Sequence, residues 1–548
     1  IKDVLIDLTD AKEDLTFQDK LDKTIQPNRE EQNTRIFKAT TVADVELPTA
    51  AGMNDSLIIK KSGLGKAVIG ILTLLLISVL GVGYWYFLPN NSSQIESIAV
   101  MPFVNESGNK DIEYLADGMT ETLISSLSNI PTVSVKARTT VFFYKGKNVS
   151  PKQVGEQLNV QAVLLGRFVQ RNDDLKLSLE LVSTESEDVL WSDQFERKMR
   201  EIVSVQSEIA KQVAAKISSR LSGEDQKKVE KNYTNNPDAY QAYLRGRFYW
   251  NQRTANGFLK GIEYFQKAIK LDPNYALAWS GLADSYTLLP EYGPYSVNEY
   301  LPKAKQAAKK AVEIDPNLSE AQTSLAYVEH TYDWNFSAAE NRYKKAIELN
   351  PNYATAHQWY GELLLQLGRF GEAQQTGQKA RDLDPLSLIK NVAYGQSFFF
   401  TRQYSEAERI YRKTLEIEPA FAVANRQLAR SLAGQGKNQE AVVEGNKAVE
   451  SGGESFKLSN GVIFATVGDR QNASRLISNN TDLDTRQLYD AILIHALLGD
   501  ETKALDGVEK LVNQRSVFIL YVNVDPALDK IRNSSRFKEL MKKVGFPE

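Results

Sequence analysis

A proline recurs along the second half of this sequence at a nearly constant spacing. It stands at positions 273, 316, 351, 385 and 419, with intervals of 43, 35, 34 and 34 residues. A proline cannot continue the helix before it, because it lacks an N–H group and its ring clashes with the preceding turn. A period near 34 residues therefore predicts a stack of helical hairpins, in which each unit contacts mainly its neighbours.

Other residue types repeat with the same period. Alanine lies five residues before four of the prolines, tyrosine lies eight residues before two of them, and a glycine lies five residues before an alanine in four later units. The alanines are Ala268, Ala311, Ala346 and Ala380, the tyrosines are Tyr343 and Tyr411, and the glycines are Gly368, Gly436, Gly468 and Gly499. Arg402 takes the glycine position before Ala407. This pattern resembles the tetratricopeptide (TPR) repeat, so residues 235–513 are predicted to form an all-α superhelical solenoid of roughly seven or eight hairpins.

Two segments depart from the regular repeat. The stretch "PEYGPYSVNEYLP" is an insertion between the two helices of one unit, and it explains the longer first interval. Residues 514–548 contain "DPALDKIRNSSRFKELMKKVGF", which predicts a C-terminal helical region that caps the last apolar face of the solenoid.

Residues 94–223 alternate between strand-like and helical spacing. The predicted order is strand, helix, strand, helix, a meander of three strands and a final helix, which is a small α+β domain. "IAVMPF", "EYLADGMTETLI", "VKARTTVFFYKGKN" and "AVLLGRF…LWSDQFER" resemble the FlgO/TolB amino-terminal-like domain of bacterial envelope proteins. That resemblance implies a role in interaction or envelope sensing, and it carries over no catalytic residue.

One helix of this domain has a row of carboxylates at helical spacing, Glu113, Asp117 and Glu121. The row could form a ligand or metal face. We favour a solvated stripe, with Gly118 permitting close packing of another helix.

Residues 67–88 contain no charged side chain. A helix over these 22 residues is about 33 Å long, enough to cross the ~30 Å hydrocarbon core of a bilayer. Lys60, Lys61 and Lys66 precede the segment, and Tyr84, Trp85 and Tyr86 lie near its end. The positive-inside rule then predicts a single-pass protein of the inner (plasma) membrane, with a cytoplasmic N-terminus and periplasmic or extracellular C-terminal domains.

The segment before the span divides into two parts. Residues 1–23 are predicted to form an amphipathic helix and residues 24–66 a cytoplasmic juxtamembrane linker. "IKDVLIDL" with "EDLTF" resembles the tail that follows the catalytic domain in bacterial transmembrane serine/threonine protein kinases. The glycine-rich loop, H-R-D and D-F-G motifs of such kinases are absent from this sequence. If the parent protein is such a kinase, its catalytic domain lies upstream of Ile1.

Composition excludes several kinds of chemistry. The sequence has no cysteine, which rules out disulfides and thiolate sites, and its three histidines are far apart. The net charge of −3 gives no support for nucleic-acid binding. We predict no catalytic residue, no cofactor and no metal in this chain.

The candidate partner-binding residues lie in the repeats. "YLRGRFYWNQR" interleaves aromatic and cationic side chains and supplies Tyr243, Arg247, Tyr249 and Trp250; His357 is the fifth candidate. His330 and His357 occupy first-helix positions of their units, where they line either the core or the groove.

These observations predict a membrane-anchored sensor or scaffold whose solenoid binds a protein or peptide. It is interpreted first as the non-catalytic part of a transmembrane kinase. The alternatives are the ectodomain of a membrane-bound winged-helix transcriptional regulator and a stand-alone envelope assembly scaffold, with a homodimer left open.

Overall fold

The computed structural model describes residues 95–218, 221–293, 295–478 and 483–547. The chain divides into two units, Ile1–Asn90 and Asn91–Glu548. The predicted amphipathic helix (1–23), linker (24–66) and membrane helix (67–88) lie outside the described residues. Within the ranges that the structure describes, no helix is long and apolar enough to span a membrane.

The described chain begins with a mixed six-stranded sheet. Its strands are Ser97–Val100 (β1), Val104–Asn105 (β2), Ser134–Val135 (β3), Ala162–Arg171 (β4), Asp174–Ser183 (β5) and Val189–Lys198 (β6). They are ordered β3–β1–β4–β5–β6, and β2 also pairs with β4. The contacts of β4 with β1 and β2 are parallel, whereas β4–β5–β6 is the predicted antiparallel meander.

Four helices complete the α+β region: Glu113–Ser128 (α1), Arg138–Phe142 (α2), Pro151–Leu158 (α3) and Ile202–Ile217 (α4). Helix α3 starts where the Ser-Pro pair predicts, because Ser150 and Gln153 form a reciprocal capping box. Helix α4 buries Ile202, Val205 and Ile209 at the spacing expected for one apolar face. The strand–helix order is as predicted, with β2 and α2 as additions.

Eight helical hairpins follow in the described part of the chain, after a short connecting helix, Gly223–Val229 (α5). The first helices of the hairpins are Pro237–Trp250 (α6), Ala276–Leu288 (α8), Ser319–Thr331 (α10), Ala354–Gln366 (α12), Leu388–Phe400 (α14), Ala422–Gly434 (α16), Lys457–Thr466 (α18) and Thr485–Leu498 (α20). The second helices are Ala255–Leu271 (α7), Val297–Ile314 (α9), Phe336–Leu349 (α11), Phe370–Leu383 (α13), Tyr404–Ile417 (α15), Asn438–Gly452 (α17), Arg470–Ser478 (α19) and Glu501–Asn513 (α21). The TPR solenoid is thus confirmed.

The repeated residues act as their chemistry predicts. Each of the five prolines lies two residues after the end of a second helix. Tyr343 and Tyr411 are completely buried, and Ala346 is buried in the same helix as Tyr343. Gly246 and Gly281 face the ring of Phe265, where a Cβ atom would come within 2.6 Å of it. Small residues therefore allow the helices of neighbouring units to approach closely.

The turns of seven of the eight described hairpins use a left-handed backbone, and the exception is the α8–α9 hairpin that carries the insertion. Gly368 and Gly436 supply it with φ values of +75° and +76°. Arg402 adopts φ +62° in the glycine position, and Arg253 and Trp334 adopt the same region at the equivalent place in earlier units. The geometry of the turn therefore overrides the usual preference for glycine at three of these sites.

The C-terminal region caps the solenoid and also returns along it. Two helices, Ile519–Val522 (α22) and Ser535–Val544 (α23), follow the last hairpin. The ring centroid of Phe546 lies 5.3 Å from that of Phe336, and the Arg515 guanidinium donates to the carbonyl oxygen of Tyr332 at 2.6 Å. The predicted cap thus contacts a unit almost 200 residues earlier in the chain, which sequence spacing did not indicate.

The α+β region docks on the solenoid through buried polar contacts. Asn352 donates from its side-chain amide to the carbonyl oxygens of Ser128, Ile130 and Val133 at 2.9–3.2 Å. These carbonyls belong to the end of α1 and the turn after it, where no helical partner is available. The asparagine follows a repeat proline, so a regular repeat position is used here to hold the other domain.

We predict that Asn352→Ala lowers the free energy of unfolding by about 1–3 kcal/mol, because three buried carbonyl oxygens lose their shared donor. Asn274→Ala is the matched control, since Asn274 follows the proline of another unit and is exposed. Urea denaturation of both variants checks the difference. Equal stability of the two variants would contradict the role given to Asn352.

Candidate functional site

The first helices of the repeats surround a cavity of about 750 Å³. Residues of α6, α8, α10, α12, α14 and α16 form nearly half of its wall. The C-terminal half of α1 and the segment 135–139 close one part, and Val517, Phe518 and Tyr521 of the returning C-terminal segment close another. The groove of the solenoid is therefore partly covered by two other parts of the same chain.

The contact between α1 and α6 positions the α+β region against the groove. A Cβ atom on Gly118 would lie 2.8 Å from Leu244, so glycine is needed for this approach. The hydroxyl groups of Thr122 and Tyr240 are hydrogen-bonded at 3.0 Å beside it. The predicted close packing at Gly118 is thus confirmed, and its partner is the first helix of the solenoid.

Glu121 joins the two regions electrostatically. Its carboxylate accepts hydrogen bonds from Arg247 Nε at 2.7 Å and Asn251 Nδ2 at 2.8 Å, and it lies 3.0 Å from Arg138 Nε. Burial alone would raise the pKa of Glu121, but the two guanidinium groups hold that pKa below its ordinary value. The ionised carboxylate is therefore part of the folded structure at neutral pH.

The carboxylate row on α1 is not the solvated stripe that we predict from sequence. Lys145 Nζ lies 2.6 Å from carboxylate oxygens of both Glu113 and Asp117, and Asp117 is buried. Glu121 is part of the domain contact. Lys145 neutralises the first two carboxylates from within the α+β region, and the docked solenoid covers the third, Glu121. Neither contact is signalled by the spacing of the row.

A second set of carboxylates faces the cavity without a cationic partner in the described part of the chain. The Asp284 carboxylate accepts a hydrogen bond from Ser324 Oγ at 2.6 Å. The Glu320 carboxylate accepts one from Ser125 Oγ at 3.0 Å. Burial raises the pKa of Asp284 to about 6 and also raises the pKa of Glu320. Burial raises the pKa values of Glu291 and Glu362 to about 7.

The five partner-binding candidates occupy different environments. Tyr243, Arg247 and Trp250 line the cavity. Tyr243 packs against Tyr275 with ring centroids 5.1 Å apart, and the Arg253 guanidinium lies 3.7 Å above the Trp250 ring.

The other two candidates lie outside the cavity wall. Tyr249 stacks on Tyr264 with ring centroids 5.4 Å apart. His357 Nε2 lies 2.9 Å from the carbonyl oxygen of Pro351. Whether any of the five candidates binds a partner stays a prediction.

Sequence reasoning missed the polar residues that line the cavity. A periodic signal does exist, since the residue eleven positions after a repeat proline lines the wall in four units: Asp284, Tyr327, Glu362 and Gln396. Glu291 comes from the proline-containing insertion, which places a 3-10 helix, Leu289–Glu291, directly after α8. Among the described residues there is no group of three or more His, Asp or Glu side chains that could hold a metal ion.

Family comparisons match two parts of the chain. Residues 93–212 match the second domain of HilA/YgeH-like transcriptional regulators, and residues 335–392 match a tetratricopeptide repeat family. The predicted resemblance to the FlgO/TolB domain and to the kinase tail stays a prediction.

Two curated relatives match by sequence. Putative adenylate cyclase 3 of Rhizobium meliloti is 28% identical over 187 residues, which cover 34% of this chain and 32% of that protein. Transcriptional regulator HilA of Salmonella typhimurium is 26% identical over 142 residues, 26% of each chain. The chain thus spans a third or less of the length of these relatives.

Two solved structures match the chain with low TM-scores. A monomeric mutant of IFIT1 with Gppp-AAAA matches with a TM-score of 0.40 and 14% identity, covering 62% of this chain and 76% of that one. YrrB, described as a TPR protein with an unusual peptide-binding site, matches with a TM-score of 0.27 and 19% identity, covering 35% of this chain and 94% of that one.

We predict that Glu121→Gln lowers the free energy of unfolding at pH 7 by about 3 kcal/mol, because Arg138 and Arg247 lose their shared counter-charge in a largely buried contact. The exposed pair of Glu299 and Lys303 provides the control, and Glu299→Gln should change stability by less than about 0.5 kcal/mol. Urea denaturation measures both.

The difference in stability between wild type and Glu121→Gln is expected to depend on pH. The pKa of Glu121 is lower in the folded than in the unfolded chain, so its stabilisation is complete above the ordinary carboxyl pKa. It is lost as the pH falls through the lower, folded-state pKa. The stability difference between wild type and Glu121→Gln should therefore narrow in acid, and a difference that stays constant down to pH 3 would contradict the pairing.

Proposed function

We propose that this chain is the ligand-recognition part of a membrane-anchored regulatory protein, whose solenoid groove binds an extended segment of a protein partner. The partly covered cavity is the observation that carries the proposal. Six successive first helices contribute to one wall, and the volume of about 750 Å³ suits a short segment of a partner. TPR solenoids offer concave surfaces of this kind for protein and peptide partners.

The lining of the groove supports recognition of a polar segment. Aromatic side chains such as Tyr327 and Trp359 alternate along the wall with the carboxylates of Asp284, Glu291 and Glu362. Aromatic residues give a partner apolar contact area, and the carboxylates give it orientation through hydrogen bonds and charge. In this proposal the chain itself is non-catalytic and acts by binding.

A bulky side chain placed in the groove tests whether the groove binds the partner segment. Gln396 lines the cavity, whereas Gln439, on α17, is exposed and outside the cavity wall. We predict that peptides enriched from a random display library on the wild-type chain bind at least about ten-fold more weakly to Gln396→Trp, because the indole fills the groove. Gln439→Trp is the matched control and should bind normally, as measured by fluorescence anisotropy.

Two results would contradict the groove as the binding site. One is equal binding of the enriched peptides to wild type and Gln396→Trp, and the other is loss of binding in Gln439→Trp alone. Circular dichroism at 25 °C and thermal unfolding confirm that both variants are folded before the comparison.

Membrane anchoring through residues 67–88 is the second part of the proposal, with the repeats outside the cytoplasm. The uncharged 22-residue segment and the lysines before it support this orientation. We predict that protease added to spheroplasts degrades the repeats and spares an epitope placed before residue 60. Protection of the repeats in spheroplasts, with degradation after detergent, would contradict the orientation.

We consider two candidates for the domain that this ligand-recognition part would regulate. The resemblance of residues 1–23 to a kinase tail supports a serine/threonine protein kinase upstream of the span. The match of residues 93–212 to HilA/YgeH-like regulators favours a winged-helix transcriptional regulator instead. The coding sequence upstream of Ile1 separates them, since H-R-D and D-F-G motifs belong to the first and a basic helix-turn-helix to the second.

A further inference from the structure

Two carboxylates from different parts of the chain face the same region of the cavity. Glu291, in the insertion after α8, accepts a hydrogen bond from the Tyr327 hydroxyl at 3.3 Å. Glu362, on α12, accepts one from Gln358 Nε2 at 2.9 Å. In the described ranges neither carboxylate has a lysine or arginine within ion-pairing distance, although Glu121 and Asp384 elsewhere in the groove are paired.

The two carboxylates disfavour each other's charge. Burial in the partly covered groove raises the pKa of each to about 7, and the nearby charge of Glu291 adds to the rise for Glu362. Arg253 and Arg486 face Glu291, and Lys390 faces Glu362, but they act only at longer range. A positive charge placed between the carboxylates would relieve this repulsion. It would also compensate for the hydration that the carboxylates lose on burial.

Aromatic rings form the adjacent wall. The rings of Tyr327 and Trp359 are buried and their centroids are 4.2 Å apart. Tyr521, from the returning C-terminal segment, faces both carboxylates. Faces of aromatic rings attract cations, so this wall and the carboxylates favour the same kind of ligand.

A buried imidazole nearby has one ring nitrogen without a hydrogen-bond partner. His330 is 1% exposed and belongs to the cavity wall, and burial lowers its pKa to about 4. Its Nε2 lies 2.6 Å from Gln366 Oε1, an acceptor, so Nε2 carries the proton. Nδ1 is then an acceptor without a hydrogen-bond partner. This acceptor suits a ligand that donates, whereas Trp250 Nε1 and Arg426 Nε are unpartnered donors elsewhere in the cavity wall.

We propose that this part of the groove is a site for an alkylammonium or guanidinium group, bound between Glu291 and Glu362 and beside Tyr327 and Trp359. The site rests on the proposed function, in which the cation is the lysine or arginine side chain of the bound segment. A free amine has the same chemistry and is the other source that the experiment distinguishes.

The probes are acetyl-Ala-Lys-Ala-amide, its norleucine analogue acetyl-Ala-Nle-Ala-amide, and n-butylamine, each titrated calorimetrically into the full chain. The lysine peptide should bind about ten-fold more tightly than the norleucine peptide, because it adds a charge-assisted hydrogen bond. If the lysine peptide binds more tightly than n-butylamine, the cation that the site recognises is a side chain of a bound segment. If n-butylamine binds more tightly, the cation is a free amine.

Two double variants, each of which replaces two glutamates with glutamines, test the site against a matched control. Glu291→Gln/Glu362→Gln should abolish the preference for lysine over norleucine. Glu299→Gln/Glu313→Gln, which removes two exposed carboxylates from α9, should retain it. Thermal unfolding verifies that both double variants are folded.

The pH dependence gives an independent readout. The lysine ammonium stays charged between pH 6 and 8, whereas the two carboxyls lose their protons over this range. Affinity of the lysine peptide should rise with pH and level off above 8, and binding near pH 7 should release protons. The double variant of Glu291 and Glu362 should bind with no such dependence.

The outcomes separate this inference from the proposed function. Equal binding of the lysine and norleucine peptides to wild type overturns the cation site and leaves a peptide groove intact. Binding of n-butylamine alone, lost in Glu291→Gln/Glu362→Gln, supports the cation site and contradicts the peptide groove. No binding of any probe overturns the cation site.

Discussion

The contact between α1 and α6 is the interaction on which the rest of this structure depends. Gly118 lets the two helices approach, and Glu121 places one carboxylate between guanidinium groups from both regions. Without this contact the solenoid would present an open concave surface. With it, the α+β region becomes a wall, and the returning C-terminal segment closes the groove further.

The charges in the groove divide into two groups with different roles. Glu121 and Asp384 are paired with arginine or lysine at the junction of the two regions, where they hold the structure together. Asp284, Glu291 and Glu362 face the cavity and have hydrogen bonds but no cationic partner within the described residues. Burying these carboxylates without a counter-charge costs free energy of desolvation. Ionisable groups in such an environment are typical of functional sites.

Much of the solenoid could be predicted from sequence because its determinants are local. A proline ends a helix wherever it stands, and an alanine or glycine allows close approach in every unit. The meander of the α+β region and the start of α3 follow from equally local signals, namely alternation along strands and the Ser150 capping box.

The site was harder to predict because it depends on contacts distant in sequence. The carboxylate row of α1 has the spacing of a solvated face, but Lys145 pairs with Glu113 and Asp117, and α6 covers Glu121. "YLRGRFYWNQR" draws attention to Arg247 as a partner-binding candidate, but the contact that the structure gives it is with Glu121, 126 residues earlier. Glu291 lies in an insertion that interrupts the repeat, so no periodic pattern indicates it.

Hydrogen–deuterium exchange with a peptide enriched on the wild-type chain tests the central claim most directly, which is that the partly covered groove binds the partner segment. We predict that the peptide slows exchange in the first helices α8, α10, α12 and α14 and in the segment 135–139. Slower exchange confined to the second helices of the repeats or to the edge strand β6 would contradict it.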